Sequence, residues 1–175
     1  QIINWLGLVS GVAASMTDAK ALDAQYGMEK GLTSLAAALA GGNLIYESSG
    51  MTSALLGASF EGFVLDDEMH GHTYRILRGV EVSEDTLDYD GICAAVMGEG
   101  HFLGGAATIA AMERDYVYPQ LADRDTPRAW EEGGALTAWD RASMRVDEIL
   151  GAAPPTYLDA ATDAAIRAAF DIKLP

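Results

Sequence analysis

A single cysteine, Cys93, stands among the 175 residues. It excludes an internal disulfide and any zinc site built on cysteine pairs. A reducing, cytoplasmic setting is the expectation that follows. Basic residues are scarce: 11 Lys and Arg face 26 Asp and Glu, a formal net charge of −15. Contact along a nucleic-acid backbone needs clustered Lys and Arg, and an anionic membrane surface needs the same. Neither nucleic acid nor membrane is therefore an expected partner. Long apolar runs are missing too. The longest stretch, 91–112, is broken by Glu99 and His101, and falls short of the roughly 20 apolar residues that span a bilayer. No basic segment followed by an apolar one is visible at the start, so no signal peptide is read.

What is present is a foldable chain. Half the residues are apolar, with 30 alanines and 19 glycines. That is too apolar for an acidic disordered chain, and a chain this long can bury a real core. A prior of roughly 150 residues per domain gives about one domain. The acidity fits solubility and a cationic ligand. The chain enters at Gln1 directly into Ile2, Ile3, Trp5 and Leu6, which reads as the middle of a helix. The expectation is a piece of something longer.

Residues 1–10 read as a helix end closed near Gly7, and 11–15 as a short buried strand. Leu22, Tyr26, Leu32, Leu35, Ala36 and Leu39 recur at three-to-four spacing, so 22–40 reads as an amphipathic helix, stopped by Gly41-Gly42. Residues 43–46 form a second short strand. Strand, helix and strand over some 35 residues make a βαβ unit with a parallel pair. Residues 48–57 read as a loop or short helix, and 59–78 as a longer helix. Ser83 is an N-cap with Glu84 and Asp85 in its first turn, opening a helix to about Met97. A loop follows over 98–105, then a helix over 106–116. Thr126-Pro127 opens a short helix through Trp130. Leu136, Trp139, Ser143, Val146 and Leu150 give another helix, Pro154-Pro155 breaks the chain, and 158–170 is a last helix. Two strands cannot finish an α/β domain, because a parallel pair leaves two open edges. Either another chain supplies strands or this is the end of a larger barrel.

The densest polar cluster is Asp18, Asp23, Gln25 and Glu29, just after the first strand. The simpler reading is a helix N-terminus decorated with acids, which the macrodipole favours. The functional reading is that loops after parallel strands lie on the ligand-binding face. Tyr46 and Glu47 close the second strand and share that face. Asp66-Asp67-Glu68 reads as a solvated helix face, since adjacent helical residues do not converge. His70 and His72 point apart on a helix and make no metal pair. The loop 98–105 is glycine-rich but lacks a Walker lysine and carries Glu99, so it is no phosphate cradle. Cys93 reads as core filling, having no positioned base. Trp130 and Trp139 read as packing anchors. No metal site is expected.

Several strings then occur together in order: Ser15-Met-Thr-Asp-Ala-Lys20, Asp23-Ala-Gln25 with Glu29-Lys30, and Ala38-Leu-Ala-Gly-Gly-Asn-Leu-Ile-Tyr46. Ser59-Phe-Glu, Val64-Leu-Asp-Asp-Glu68, Gly79-Val-Glu-Val, Gly100-His-Phe-Leu103, Tyr116 to Arg124 and Trp130 follow. Over nearly its whole length the chain resembles the C-terminal part of the trimethylamine methyltransferase family. The resemblance implies a TIM (β/α)8 barrel with a helical extension. This chain would supply the last one or two βα units over 1–80 and the helical extension over 81–175. It implies methyl transfer from a tertiary or quaternary amine to a corrinoid (cobalamin) carried by a separate corrinoid protein, with no cofactor bound directly. Founding members use pyrrolysine, and its position falls at Met16. Methionine offers no electrophile, so the chain is similar to the branch lacking pyrrolysine, which includes glycine betaine methyltransferases. A quaternary ammonium has no lone pair to attack an imine. It needs aromatic faces and diffuse negative charge instead.

On that reading Met16, Asp18 and Glu29 carry the catalytic positions, and Asp23, Gln25, Tyr46 and Glu47 bind the small methylated amine. The barrel's earlier strands are absent, and Glu47-Ser-Ser-Gly50 is longer than the glycine-rich loop usual there. A rival reading is a non-catalytic structural or oligomerisation module, since the open edges of a partial barrel predict a homo-oligomer.

Overall fold

A computed structural model describes residues 1–152 and 157–172. The break expected at Pro154-Pro155 lies outside the described residues. The architecture is helix-rich α/β. The short helix α1 (Ile2–Trp5) ends at Gly7, whose φ of +70° is a left-handed turn that glycine adopts without strain. Asn4 Nδ2 then donates to the carbonyls of Ala40 and Gly41, at 3.1 and 2.9 Å. This fastens the N-terminus to the far end of the next helix.

Strand β1 (Gly11–Ala13) pairs in parallel with β2 (Leu44–Tyr46), Val12 opposite Ile45. Between them runs α2 (Ala24–Leu39), so the βαβ unit stands as expected, but its strands are shorter and their first and last residues are exposed, not buried. The pairing starts at Asn43, whose Oδ1 accepts from the Ser10 amide at 2.9 Å and its hydroxyl at 3.2 Å. Helix α2 is capped by Asp23, which accepts from the amides of Gln25 and Tyr26.

The segment 48–57 is neither loop nor helix throughout. It contains an antiparallel hairpin, β3 (Met51–Thr52) with β4 (Gly57–Ala58). Its turn is unusual: Ser53, Ala54 and Leu55 all have positive φ, 52°, 55° and 69°. Non-glycine residues resist that conformation, so no turn signature marks the hairpin in the sequence.

Helix α3 (Phe60–Arg78) is capped by Ser59. The helix expected from Ser83 to Met97 is two helices, α4 (Glu84–Leu87) and α5 (Tyr89–Met97). Asp88 separates them with φ +42°, ψ +46°, a left-handed conformation that a short polar side chain tolerates. The Ser83 cap is a reciprocal box with Thr86. There follow α6 (Ala106–Asp115), α7 (Pro127–Glu132), α8 (Ala138–Gly151) and α9 (Ala160–Ala169). Thr126 caps α7 with Pro127 in its first turn, as read from the sequence.

The centre is α3 packed between α2 and α8. Ala142 and Val146 of α8 are buried, as is Leu121 in the segment leading to it. The buried face of α2 is not the apolar stripe. It is Tyr26, Lys30, Ser34 and Ala38, whereas Leu32 and Leu39 are exposed. Helix α3 likewise buries Gly62, Asp66 and Thr73, and exposes Phe60 and Tyr74. Trp130 is half-buried and its indole donates to the Leu136 carbonyl at 2.9 Å. Trp139 remains exposed, and Cys93 is half-buried. Among the described residues, no helix is long and apolar enough to cross a membrane.

Gly50 has φ +70° and is buried against α3, where a Cβ would overlap the Phe63 ring. Gly50→Ala is therefore expected to lose about 2–4 kcal/mol, from the left-handed backbone and overpacking together. Urea denaturation checks this. A loss below about 1 kcal/mol means that the ring moves aside freely.

Candidate functional site

Because β1 and β2 are parallel, their C-terminal ends, Ala13 and Tyr46, lie side by side. The loops leaving them form one end of the sheet, where ligands of parallel α/β folds bind. Ser15 opens the first loop with φ +63°. Its Oγ is fully buried and has no hydrogen-bond partner among the described residues. Met16 follows, half-buried. Glu29, one turn into α2, then holds the loop. Its Oε2 accepts from the Thr17 hydroxyl at 2.6 Å and the Asp18 amide at 2.9 Å, and its Oε1 from Gln25 Nε2 at 2.9 Å.

The hydrogen bonds from Thr17, Gln25 and the Asp18 amide hold the Glu29 carboxyl below the usual glutamate range. A depressed folded-state pKa stabilises the loop above the ordinary glutamate value, and that contribution is lost as pH falls through the depressed value. The Asp18 amide is thus expected to keep its folded NMR shift through the ordinary glutamate range and to move only below it. A midpoint at or above the ordinary value would show that Glu29 does not grip the loop.

The structure brings Asp18, Gln25 and Glu29 together. Asp23 is engaged as the cap of α2, and Glu29 is engaged through Oε2 with the loop and through Oε1 with Gln25, so the site carboxylates without a hydrogen bond from the described residues are Asp18 and Glu47. Glu47 is exposed at the end of β2 with φ +59°. Tyr46 is 46 % exposed, and its ring leans back over Gly11, at the other end of β1 from Met16. The ring is therefore turned back along the sheet and is not packed onto the Asp18–Glu29 cluster.

Beneath the loops lies a group that sequence reading missed. Asp66 on α3 is 1 % exposed and Lys30 on α2 is fully buried. Their side chains meet at 2.8 Å. The same Asp66 oxygen accepts from the Tyr26 hydroxyl and the Gly50 amide, each at 2.8 Å. The Lys30 ammonium also lies 5.0 Å from the Tyr26 ring centroid and 3.4 Å from the Met51 carbonyl. Burial, and then Asp66, push the Tyr26 phenol far above its ordinary range, so it stays a donor.

Nor is Glu68 solvated. Its carboxylate accepts from the amides of Gln120, Leu121 and Ala122, at 2.6, 2.7 and 2.9 Å. The reading of 66–68 as a solvated face therefore fails for Asp66 and Glu68, because each has partners 16 to 54 residues away. The available signal was the four-residue spacing of Tyr26, Lys30 and Ser34.

His70 is half-buried in a cavity of about 210 Å³ between α2 and α3, shared with Ser34, Asn43 and Thr73. Desolvation holds its imidazole below the ordinary histidine value. His72 turns its Nδ1 to the Glu68 carbonyl at 2.9 Å. Among the described residues, no group of three or more His, Cys, Asp and Glu side chains is placed to hold a metal ion.

Comparison with known proteins places the chain in a family. The chain is 32 % identical to a glycine betaine methyltransferase of Desulfitobacterium hafniense (strain Y51), over 96 % of this chain and 35 % of that protein. It is 34 % identical to the trimethylamine methyltransferase MttB of Methanosarcina barkeri, over 91 % of this chain and 32 % of that protein. The chain thus spans about a third of the length of the curated relatives it matches. The model of the family described as trimethylamine methyltransferase (MTTB) matches residues 1–173, and the chain belongs to that family.

Proposed function

We propose that this chain is the C-terminal portion of a methyltransferase that takes a methyl group from a methylated amine, in the branch that works without pyrrolysine. Residues 1–80 are the final βα units of a TIM barrel and 81–175 its helical extension. The observation that carries this reading is the family match over 1–173, with relatives named for trimethylamine and glycine betaine. A corrinoid on a partner protein accepts the methyl group. Met16, where the pyrrolysine branch has its electrophile, lines the amine pocket with a soft side chain that forms no covalent bond to the substrate. Asp18 and Glu47 supply the negative charge that holds a quaternary ammonium, and Tyr46, next to Glu47 at the end of β2, supplies an aromatic face once its ring turns from Gly11 toward the loops. Glu29, steadied by Gln25, holds the loop that carries Met16 and Asp18, while Asp23 fixes the start of α2. The chain's part is to orient and desolvate the N-methyl carbon for displacement.

The test is calorimetric titration with glycine betaine, tetramethylammonium and trimethylamine, followed by methyl transfer to the corrinoid protein. Tyr46→Ala is expected to weaken quaternary ammonium binding about 3- to 10-fold, the range of a partly exposed cation–π contact. Absence of transfer from every methylated amine would end this reading.

One observation favours a second reading, a non-catalytic module that pairs with another protein. Ile2, Trp5 and Val9 are 77, 83 and 84 % exposed, an apolar face that asks for cover. Light scattering separates the two: a self-associating chain that binds no methylated amine supports the module.

A further inference from the structure

The two loops of the candidate site are joined by a mechanical path that starts at the buried ion pair. Adjacent residues of α2 serve different loops. Glu29 holds Thr17 and Asp18, after β1. Lys30, through Asp66, holds Gly50 and Met51, after β2. From Gly50 and Met51 the chain enters β3 and the left-handed turn at Ser53–Leu55. That turn hangs back on the first loop. The Ser53 amide donates to the Ala19 carbonyl at 2.9 Å, and the Ala54 amide to the Thr17 carbonyl at 3.0 Å. The circuit from α2 through both loops is therefore closed.

Two features of the circuit are unfavourable taken alone. A buried ion pair is weak evidence for stability, because well-packed apolar residues of the same volume often do as well or better. Three consecutive left-handed non-glycine residues are strained, and such strain gathers at functional sites where the surroundings fix it. What an apolar pair cannot supply is the acceptor for the Gly50 amide. In its strained form the turn presents the successive Ser53 and Ala54 amides to Ala19 and Thr17.

We propose that Lys30 and Asp66 are positioning residues. They set the loop after β2 against the loop after β1, and so fix the gap between Met16–Asp18 and Tyr46–Glu47. The proposal rests on the assignment of the methylated-amine site to these loops. Neither residue touches the substrate; both act through the hairpin.

The experiment compares the 175-residue chain with Lys30→Met/Asp66→Leu and with Tyr26→Phe, by amide hydrogen exchange and by tetramethylammonium titration. The double substitution removes the charges together and keeps volume. Exchange at the Asp18, Ser53 and Ala54 amides is expected to rise about tenfold or more, while α3 and α8 keep their protection. Tetramethylammonium affinity is expected to fall about tenfold in parallel, the effect of a modest misplacement of binding groups. Tyr26→Phe, which removes one bond to Asp66, is expected to give a smaller change at the same amides. Unchanged exchange at Asp18, Ser53 and Ala54 in a folded double variant overturns the proposal. If the double variant loses protection everywhere, Tyr26→Phe decides: a change confined to those three amides supports the proposal, and none overturns it. If the parent chain binds no ammonium while the exchange response persists, the coupling is upheld and the site assignment is the part that fails.

Discussion

Asp66→Ala will lower the unfolding free energy by about 3–5 kcal/mol, the range found when one partner of a buried ion pair is removed. The reason lies in what remains. Lys30 is fully buried, and without Asp66 its ammonium keeps, among the described residues, the Met51 carbonyl at 3.4 Å and the Tyr26 ring. The Gly50 amide and the Tyr26 hydroxyl lose their acceptor in the same step. Lys30→Met/Asp66→Leu removes both charges and should recover about half of that loss, since the uncompensated charge is the larger part of the penalty. It should not recover everything, because the orphaned Gly50 amide still carries a desolvation penalty of about 1–3 kcal/mol. Urea denaturation of the parent, Lys30→Met, Asp66→Leu and the double variant gives the coupling energy directly. Additive single effects would mean that the 2.8 Å contact contributes nothing specific.

The βαβ unit was legible because its two strands and the helix between them are local. The helix starts at Ser83 and Thr126 were legible for the same reason, since a cap is a matter of three or four residues. The hairpin at 51–58 was not, because Ser53-Ala54-Leu55 carries none of the glycine or asparagine that marks a left-handed turn. Nor was the buried face of α2. A lysine is assigned to solvent unless its partner is known, and Asp66 lies 36 residues further on. The site divides along the same line. That Asp18, Gln25 and Glu29 gather after β1 followed from spacing and the parallel pair. Which carboxylates are engaged needed geometry: Asp23 is engaged as a cap and Glu29 as a clamp, and this narrows the cation-holding role proposed above to Asp18 and Glu47.

Glu68→Ala is expected to destabilise the chain by about 2–4 kcal/mol and to free the segment 116–124 from α3. Three successive amides, those of Gln120, Leu121 and Ala122, converge on one carboxylate. Hydrogen bonds to a charged acceptor contribute about 1.5–3 kcal/mol each where they are buried. The Gln120 amide is exposed and can turn to water, so the sum is well below three full contributions. The same segment is gripped from its other side by Arg141, which donates to the Leu121 carbonyl and to the Leu136 carbonyl at 2.7 Å. Loss of Glu68 alone should therefore loosen the segment without releasing α8, whose Ala142 and Val146 remain buried. Glu68→Gln keeps one carbonyl-type acceptor but turns an amide group toward at least one of the three donors, so it should fall between parent and alanine. Proteolytic cleavage within Tyr116–Arg124 is expected to accelerate in the same order, parent, glutamine, alanine. Cleavage that shifts instead to α8 would place the anchor in the packing of α3 on α8, with the carboxylate only accompanying it.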